Sequence, residues 1–203
     1  MFVKMSIEPV WSRTVPSIVM VPAKSANVSV VVVLVVQPPD FVVERVVVVE
    51  TGPVGLSFAE TVTVLGTRRA TSYGREVARS LGCELAAEGL LVLSGMALGV
   101  DACAHRGALE AGTTVAVSAC GPDIAYPAAH RSLHRRVAEC GVVISELPPG
   151  AGAWRWIFSA RSRIMAALSG MTVIVEAAIG SGSLMVTERA LELGRPVGAV
   201  PGP

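Results

Sequence analysis

The sequence predicts an α/β fold in which a parallel sheet is covered by helices on both faces. Two observations support this prediction. The 203 residues with 52% hydrophobic content are enough to bury a core, and from residue 58 onward short β-rich runs alternate with helical patterns. Strands that alternate with helices form βαβ units, and these build a parallel sheet whose ligands bind at the carboxyl ends of the strands.

Six apolar or β-branched runs predict the strands of this sheet. They cover residues 61–65, 90–93, 114–118, 142–145, 172–175 and 197–200. Five stretches with apolar residues at helical spacing predict the helices between them. They cover residues 73–88, 101–111, 131–139, 161–168 and 184–193. The loops that follow the strands are therefore expected to form one surface.

Residues 1–56 differ from the rest of the chain in composition and periodicity. Thirteen of the 22 residues at positions 28–49 are valine, and neither period 2 nor period 3.6 is sustained there. The apolar run at 30–36 is much shorter than the roughly 20 residues of a membrane helix. We therefore expect a poorly ordered segment at 1–56 and a folded domain at 57–203.

Charge and cysteine content narrow the classes of function. The net charge of +1 gives no global basic field, so nucleic-acid binding has to come from local clusters of basic residues. The four cysteines show no C-x-x-C spacing, so we expect small buried thiols in a cytoplasmic protein. They are Cys83, Cys103, Cys120 and Cys140.

No motif for a metal or a cofactor is found in the sequence. His130 and His134 lack the glutamate of H-E-x-x-H, so they predict a solvated helix face rather than a metal site. The glycine-containing loop at 66–74 does not have the G-x-G-x-x-G pattern of a dinucleotide-binding loop. No acidic residue follows the second predicted strand, at 90–93, to hold the ribose of NAD. Walker A is excluded because no G-K-[ST] follows the glycines at 180–182.

The loop after the first predicted strand, "GTRRATSYG" at 66–74, combines glycine with two arginines. Gly66 and Thr67 stand at the strand end, where backbone N–H groups favour an anion. Arg68 and Arg69 add guanidinium groups, which bind phosphate. The alternative is that both arginines are ordinary solvated surface residues.

Two further turns carry the small residues of a strand-to-helix connection. In the first turn they are Ser94, Gly95 and Gly99, with Asp101 in the helix that follows, and in the second they are Gly180, Ser181, Gly182 and Ser183. The exposed helix N-terminus after each turn favours an anion. For the first turn, a tight connection that holds no ligand is an equally good interpretation.

The stretch "AWRWIFSARSR" at 153–163 interleaves flat rings with arginines. Trp154, Trp156 and Phe158 precede Arg161 and Arg163, and such a mixture suits single-stranded nucleic acid, whose bases stack while arginines bind the backbone. Trp156 and Phe158 are the candidate stacking residues. The alternative is that the rings pack over a sheet edge.

Seven motifs, in this order between residues 58 and 203, together resemble the DNA processing protein A family, also called DprA or Smf. They are "GTRRATSYG", "SGMALGVDACAHRGALEAG", "YPAAHRSL", "SELPPG", "FSARSRIMAALS", "VEAAIGSGSL" and "GRPVGAVPGP". The resemblance implies a Rossmann-like domain that binds single-stranded DNA, forms a homodimer and helps load RecA onto incoming strands in natural transformation. It implies binding and no catalytic reaction.

The resemblance also implies site residues at matched positions. These are Arg68, Gly95, Gly99, Asp101, Arg161, Arg163, Gly182 and Ser183. Ser162 and Ser159 replace the asparagine and the proline that are usual around the paired arginines. Because relatives continue past "AVPG", the domain is expected to be truncated at its C-terminus.

Two alternative functions remain open. One is a nucleotide-processing enzyme of the LOG phosphoribohydrolase type, because the stretch "GSGSLMVTE" ending at Glu188 faintly resembles the motif of those enzymes. The other is a non-functional fragment.

Overall fold

Residues 60–202 alternate between strands and helices, as the β-branched runs and the helical periodicity predict. The computed structural model describes these residues completely and, before them, the backbone of residues 4–5, 17–21, 30–35 and 46–51. The strands are β1 (Lys4–Met5), β2 (Ser17–Val21), β3 (Val30–Val35), β4 (Val46–Thr51), β5 (Thr61–Leu65), β6 (Leu91–Ser94), β7 (Thr114–Val117), β8 (Val142–Ser145), β9 (Met171–Ile174) and β10 (Val197–Ala199). The helices are α1 (Ser72–Ala87), α2 (Val100–Ala111), α3 (Arg131–Cys140), α4 (Arg155–Leu168) and α5 (Gly182–Glu192).

The strands form a sheet in the order β1-β2-β3-β4-β8-β7-β6-β5-β9-β10. Neighbouring strands from β8 to β10 in this order are parallel, whereas β4 pairs with β8 in the antiparallel sense. Because the order reverses between β5 and β9, right-handed crossovers place α1, α2 and α3 on one face and α4 and α5 on the other. The prediction of a Rossmann-like, mainly parallel sheet with helices on both faces is confirmed.

Alternate residues of the parallel strands enter two core layers. Val64 packs with Ala78 of α1 and Ala104 of α2, whereas the next residue, Leu65, packs with Ile164 of α4 and Val186 of α5. A strand covered on both faces has to be apolar at nearly every position, which explains the continuous apolar runs of the sequence.

Helices α1 and α2 approach each other so closely that their contact requires glycine. A Cβ atom at Gly107 would lie 1.9 Å from the carbonyl oxygen of Arg79, and one at Gly82 would lie 2.3 Å from the carbonyl oxygen of Ala104. Both obstacles are backbone atoms, which cannot rotate away. These two glycines therefore set the distance between the helices.

The predicted start of the fourth helix at residue 161 is wrong, because α4 begins at Arg155. The alternation of rings and arginines conceals a helical pattern in which Ile157, Ile164 and Leu168 are buried on one face. Two predicted strands, 61–65 and 142–145, have the bounds of β5 and β8. The early start of α4 changes the directions of the aromatic side chains considered below.

The structure also shows where the histidine and cysteine side chains lie. His130 and His134 are buried, so the predicted solvated face is wrong for both. Cys103 and Cys120 are buried as expected, but Cys140 is exposed at the end of α3. Within residues 60–202, no group of three histidine, cysteine or carboxylate side chains is arranged to hold a metal ion.

Four strands lie within the segment 1–56 that was expected to be poorly ordered. Glu50 of β4 pairs with Ile144 of β8, which extends the sheet across the predicted boundary at 56 and 57. Most of that segment lies outside the described residues, so its disorder and its boundary stay predictions. No helix in the described part of the chain is long and apolar enough to cross a bilayer.

Candidate nucleic-acid interface

The loops after β5, β6 and β9 meet at the carboxyl edge of the sheet. The backbone N–H of Thr67 donates to the carbonyl oxygen of Glu176 over 2.6 Å, which joins the first of these loops to the last. The N–H of Val100 donates to the carbonyl oxygen of Thr67 over 3.3 Å, which joins the first loop to the second. The strand order reverses between β5 and β9, so this edge contains the crevice where ligands bind in open α/β sheets. We call the surface formed by these three loops the loop edge.

The first loop presents two exposed arginines above a tightly packed base. A Cβ atom at Gly66 would lie 2.6 Å from the carbonyl oxygen of Glu176, so only glycine fits without a shift. Arg68 and Arg69 are exposed, and neither forms an ion pair with any acid within residues 60–202. Their guanidinium groups remain available to an anionic ligand.

The second loop is closed by hydrogen bonds to groups within the protein. The Ser94 hydroxyl is fully buried and donates to the carbonyl oxygen of Val64 over 2.6 Å. The Asp101 carboxylate, which is 4% exposed, accepts from the N–H groups of Gly95 and Ala97, both over 3.2 Å. Burial raises the pKa of this carboxyl, while the nearby Arg161 and the backbone donors act in the opposite direction. Contact of Ser94, Gly95 and Asp101 with DNA stays a prediction, since the structure gives their polar groups internal partners.

Gly99 fixes the second loop against the first. Its φ is +80°, and a Cβ atom there would lie 2.3 Å from the carbonyl oxygen of Thr67 and 2.8 Å from that of Arg68. Both the backbone conformation and the lack of space require glycine. The position of Arg68 therefore depends on the turn that Gly99 makes.

Arg161 points into the protein beneath the loop edge. Its Nη1 donates to the carbonyl oxygens of Gly95 and Val117, the latter over 3.2 Å. Its Nε is buried and has no hydrogen-bond partner within the described residues. Burial lowers the pKa of the guanidinium, and Asp101 opposes that shift. Arg161 therefore joins the ends of β6 and β7, and a direct phosphate contact by this side chain stays a prediction.

Arg163 is half exposed and already has an acidic partner. Its Nη2 donates to the carboxylate of Glu146, which follows β8. Burial raises the pKa of Glu146, and the charge of Arg163 lowers it. The three arginines at the matched positions thus differ, because among Arg68, Arg161 and Arg163 only Arg68 keeps an exposed guanidinium without an acidic partner.

The aromatic side chains do not form one stacked row. The Phe158 ring contacts the guanidinium groups of Arg68 and Arg161, whose central carbons are 5.5 and 5.7 Å from the ring centroid. Trp154 and Trp156, at the start of α4, are 64% and 66% exposed. The Trp156 face is thus free to stack, whereas Phe158 holds the Arg68 side chain in place.

The third loop leaves the N-terminus of α5 open. Gly180 has a φ of +73°, and Ser181 is the N-cap residue but caps no backbone N–H with its side chain. Its hydroxyl instead lies 2.6 Å from that of Ser183, and nothing lies within 4 Å of a Cβ atom built at Gly182. These uncapped N–H groups and hydroxyls form a place where an anion can bind.

Sequence reasoning missed Glu176. Its Oε2 accepts from the backbone N–H of Thr71 over 3.0 Å and from the Thr71 hydroxyl over 3.1 Å. The protein therefore places its own carboxylate at the N-terminus of α1, where a phosphate would otherwise be favoured. The available signal was an acidic residue directly after the fifth predicted strand, at 172–175, which is β9 in the structure. This strand lies beside the reversal of the strand order.

Residues 44–203 match the sequence profile of the DNA recombination-mediator protein A family. A Mycobacterium tuberculosis relative that carries the DprA name is 48% identical over 141 residues, which are 69% of this chain and 36% of that protein. The chain therefore spans about a third of the length of this curated relative.

Two solved structures resemble the fold over most of its length. The structure of DNA processing protein A from Streptococcus pneumoniae has a TM-score of 0.72 and 36% identity, and the match covers 77% of this chain and 56% of that one. A structure of DNA processing protein A from Helicobacter pylori, described for its single-stranded DNA binding mode, has a TM-score of 0.73 and 29% identity. That match covers 84% of this chain and 80% of the other.

Proposed function

The chain belongs to the DNA recombination-mediator protein A family, and from this we propose that it binds single-stranded DNA at the loop edge. The Helicobacter pylori relative, which is described as binding single-stranded DNA, has the same fold over most of this chain. The observation that carries the proposal is Arg68, whose unpaired guanidinium is exposed beside the crevice between β5 and β9.

Phosphate contact is proposed for the exposed groups of the first and third loops. Arg68 and Arg69 supply charge, and the open N-terminus of α5 at 180–183 supplies N–H groups and hydroxyls. The exposed ring of Trp156 is proposed to stack on a base. A DNA strand bound in this way is contacted mainly through its phosphate backbone, so little sequence preference is expected.

The buried members of the predicted site are proposed to act by positioning. Asp101 and Arg161 hold the turns after β6 and β7, and Gly99 holds the backbone that carries Arg68. Phe158 supports the Arg68 guanidinium through its ring face. Changes at these residues should therefore alter stability together with DNA affinity.

In the cell, the proposed role is the protection of incoming single strands in the cytoplasm during natural transformation and the loading of RecA onto them. A homodimer is the proposed working unit. These steps come from what membership of the family implies, and they involve no chemical reaction. Sedimentation of the full chain tests the dimer, and RecA filament formation on coated single strands tests the loading step.

The DNA contact is tested with Arg68→Ala and a control, Arg79→Ala, which removes the same charge from an exposed ion pair between α1 and α2. We expect Arg68→Ala to weaken binding to all single-stranded sequences alike. The plot of log affinity against log salt should become flatter by about 0.7, which is the counterion release of one phosphate contact on a single strand. Arg79→Ala should bind as the unchanged protein does. Full-strength binding by a folded Arg68→Ala protein would contradict the proposal.

A further inference from the structure

The outer face of α3 carries a concentration of positive charge. Arg131, Arg135 and Arg136 are exposed, whereas Leu133 and Val137 are buried on the opposite side of the helix. At about 100° per residue, Arg131 and Arg135 lie side by side on the helix surface, and Arg136 lies at the edge of the same face, with the exposed Glu139 between it and Arg135. Arg106 of the neighbouring helix α2 is exposed as well. We call these four arginines the α3 basic face.

None of these arginines has an acidic partner within residues 60–202. The ion pairs there join Arg79 to Glu110, Arg163 to Glu146 and Arg189 to Glu192. Arg131 and Arg135 are four residues apart on α3, and like charges at this spacing destabilise a helix. The pair of Arg131 and Arg135 therefore does not stabilise the helix, and its field is available to a partner with negative charge.

The α3 basic face begins close to the loop edge. His130, which directly precedes α3, is buried. The charges of both Asp101 and Arg106 act on its ring. Asp101 in turn holds the second loop, and the N–H of Val100, directly after that loop, donates to the carbonyl oxygen of Thr67 in the first loop. Since α3 leaves the carboxyl edge of the sheet after β7, Arg131 lies nearest to the loop edge. Arg135 follows it by about 6 Å along the helix.

We infer that the α3 basic face is a second DNA contact, which takes the phosphate backbone of a single strand that continues beyond the loop edge. This inference rests on the proposed function. Arginine side chains spread over two helices suit an extended polyanion better than a single phosphate ion. A strand that leaves Arg68 toward α2 meets Arg106 and Arg131 first and Arg135 and Arg136 afterwards.

With a second contact, the affinity for single-stranded DNA should depend on the length of the strand. A short oligonucleotide that occupies only the loop edge should bind independently of α3. A longer oligonucleotide should bind more tightly, and the gain in affinity should come from the α3 basic face. The loop edge and the α3 basic face can therefore be tested separately with one set of thymidine oligonucleotides of increasing length.

The test uses the full chain with Arg131→Gln and Arg135→Gln combined, since glutamine has a helix propensity similar to that of arginine. The control combines Arg79→Gln and Arg189→Gln, which removes the same two charges elsewhere. Fluorescence anisotropy at several salt concentrations gives the affinity for short and long oligonucleotides. We expect the α3 variant to lose the gain with length and its salt slope on the long oligonucleotide to flatten by about 1.4, or 0.7 for each contact.

Three results would overturn the inference. The α3 variant could bind long oligonucleotides as the unchanged protein does, or the control could lose as much affinity as the α3 variant, or the full chain could show no gain with length. If short oligonucleotides bind in an Arg68-dependent manner in these cases, the loop-edge proposal stands and only the second contact fails. Absence of any DNA binding by the full chain would overturn both.

Discussion

The loops after β6 and β9 have similar composition but opposite structures. Each follows a parallel strand, contains glycine with a serine inside it or directly before it, and leads into a helix N-terminus. The loop after β6 is closed, because Asp101 accepts its N–H groups and Arg161 binds its carbonyl group. The loop after β9 is open, because Ser181 caps no backbone N–H and Gly182 has free space around it.

This difference shows that small residues at the end of a strand serve two purposes. They allow close packing where internal charges satisfy the backbone, and they admit a ligand where no internal group does. Changes that remove the internal partners of the closed loop should be costly for stability. Equivalent changes in the open loop should leave the fold intact.

The largest effect is expected from Asp101→Ala in the closed loop. The change leaves the N–H groups of Gly95 and Ala97 without their acceptor and removes the negative charge beside Arg161. We expect the free energy of unfolding to fall by about 3 kcal/mol, measured by urea denaturation. A loss no larger than that of Ser181→Ala would contradict the distinction between the two loops.

The next effect compares alanine at one glycine of each loop. Gly99→Ala places a methyl group 2.3 Å from the carbonyl oxygen of Thr67 in addition to straining φ, so a loss of roughly 2–3 kcal/mol is expected. Gly180→Ala meets no neighbouring atom within 4 Å and should cost about 1 kcal/mol, for its positive φ alone. Thermal denaturation of the two variants measures the difference, and equal losses would show that φ alone decides the cost.

A smaller effect concerns pH. His105 is fully buried in α2, the helix that follows the closed loop, and burial lowers its pKa from 6.5 to about 3. A lowered histidine pKa means that the fold prefers the neutral ring, so its stability is complete above pH 6.5 and is lost as the pH falls toward 3. His105 alone should cost about 2 kcal/mol at about pH 5.

The check is a series of urea titrations between neutral pH and mild acid. His105→Gln should lower stability at neutral pH but should give a shallower decline toward acid. If the decline is as steep in His105→Gln as in the unchanged protein, other groups cause the acid sensitivity.

The smallest expected change in stability comes from Ser181→Ala in the open loop. Since the hydroxyl caps no N–H, the free energy of unfolding should change by less than about 0.5 kcal/mol. Single-stranded DNA affinity should nevertheless fall, because the hydroxyl is proposed to contact phosphate. Unchanged affinity measured by anisotropy would remove this hydroxyl from the proposed interface.

The family and the strand-helix order were predictable from local patterns. The motifs that resemble DprA proteins led to the family that the match of residues 44–203 confirms. The β-branched runs and helical periodicities gave the six parallel strands and the five helices. The predicted start of a helix was wrong where two periodicities overlap. At the start of α4, the alternating rings concealed the helical spacing of Ile157 and Ile164.

The state of each loop was not predictable, because it depends on groups distant in the chain. Arg161 reaches the carbonyl group of Gly95 across 66 positions, and Glu176 reaches Thr71 across 105. The three candidate arginines looked alike in sequence, yet Arg161 is directed inward and Arg163 pairs with Glu146. Only the assembled sheet edge shows that Arg68 remains exposed and without an acidic partner.

The contact of α1 with α2 through Gly82 and Gly107 has a consequence for the kinetics of binding. Two helices whose backbones touch cannot slide or tilt separately, so the loops that precede them move as one stiff unit. A strand that arrives at such a unit finds its contacts already arranged and induces little rearrangement. Association should then be a single step limited by encounter, whose rate constant rises as the salt concentration is lowered.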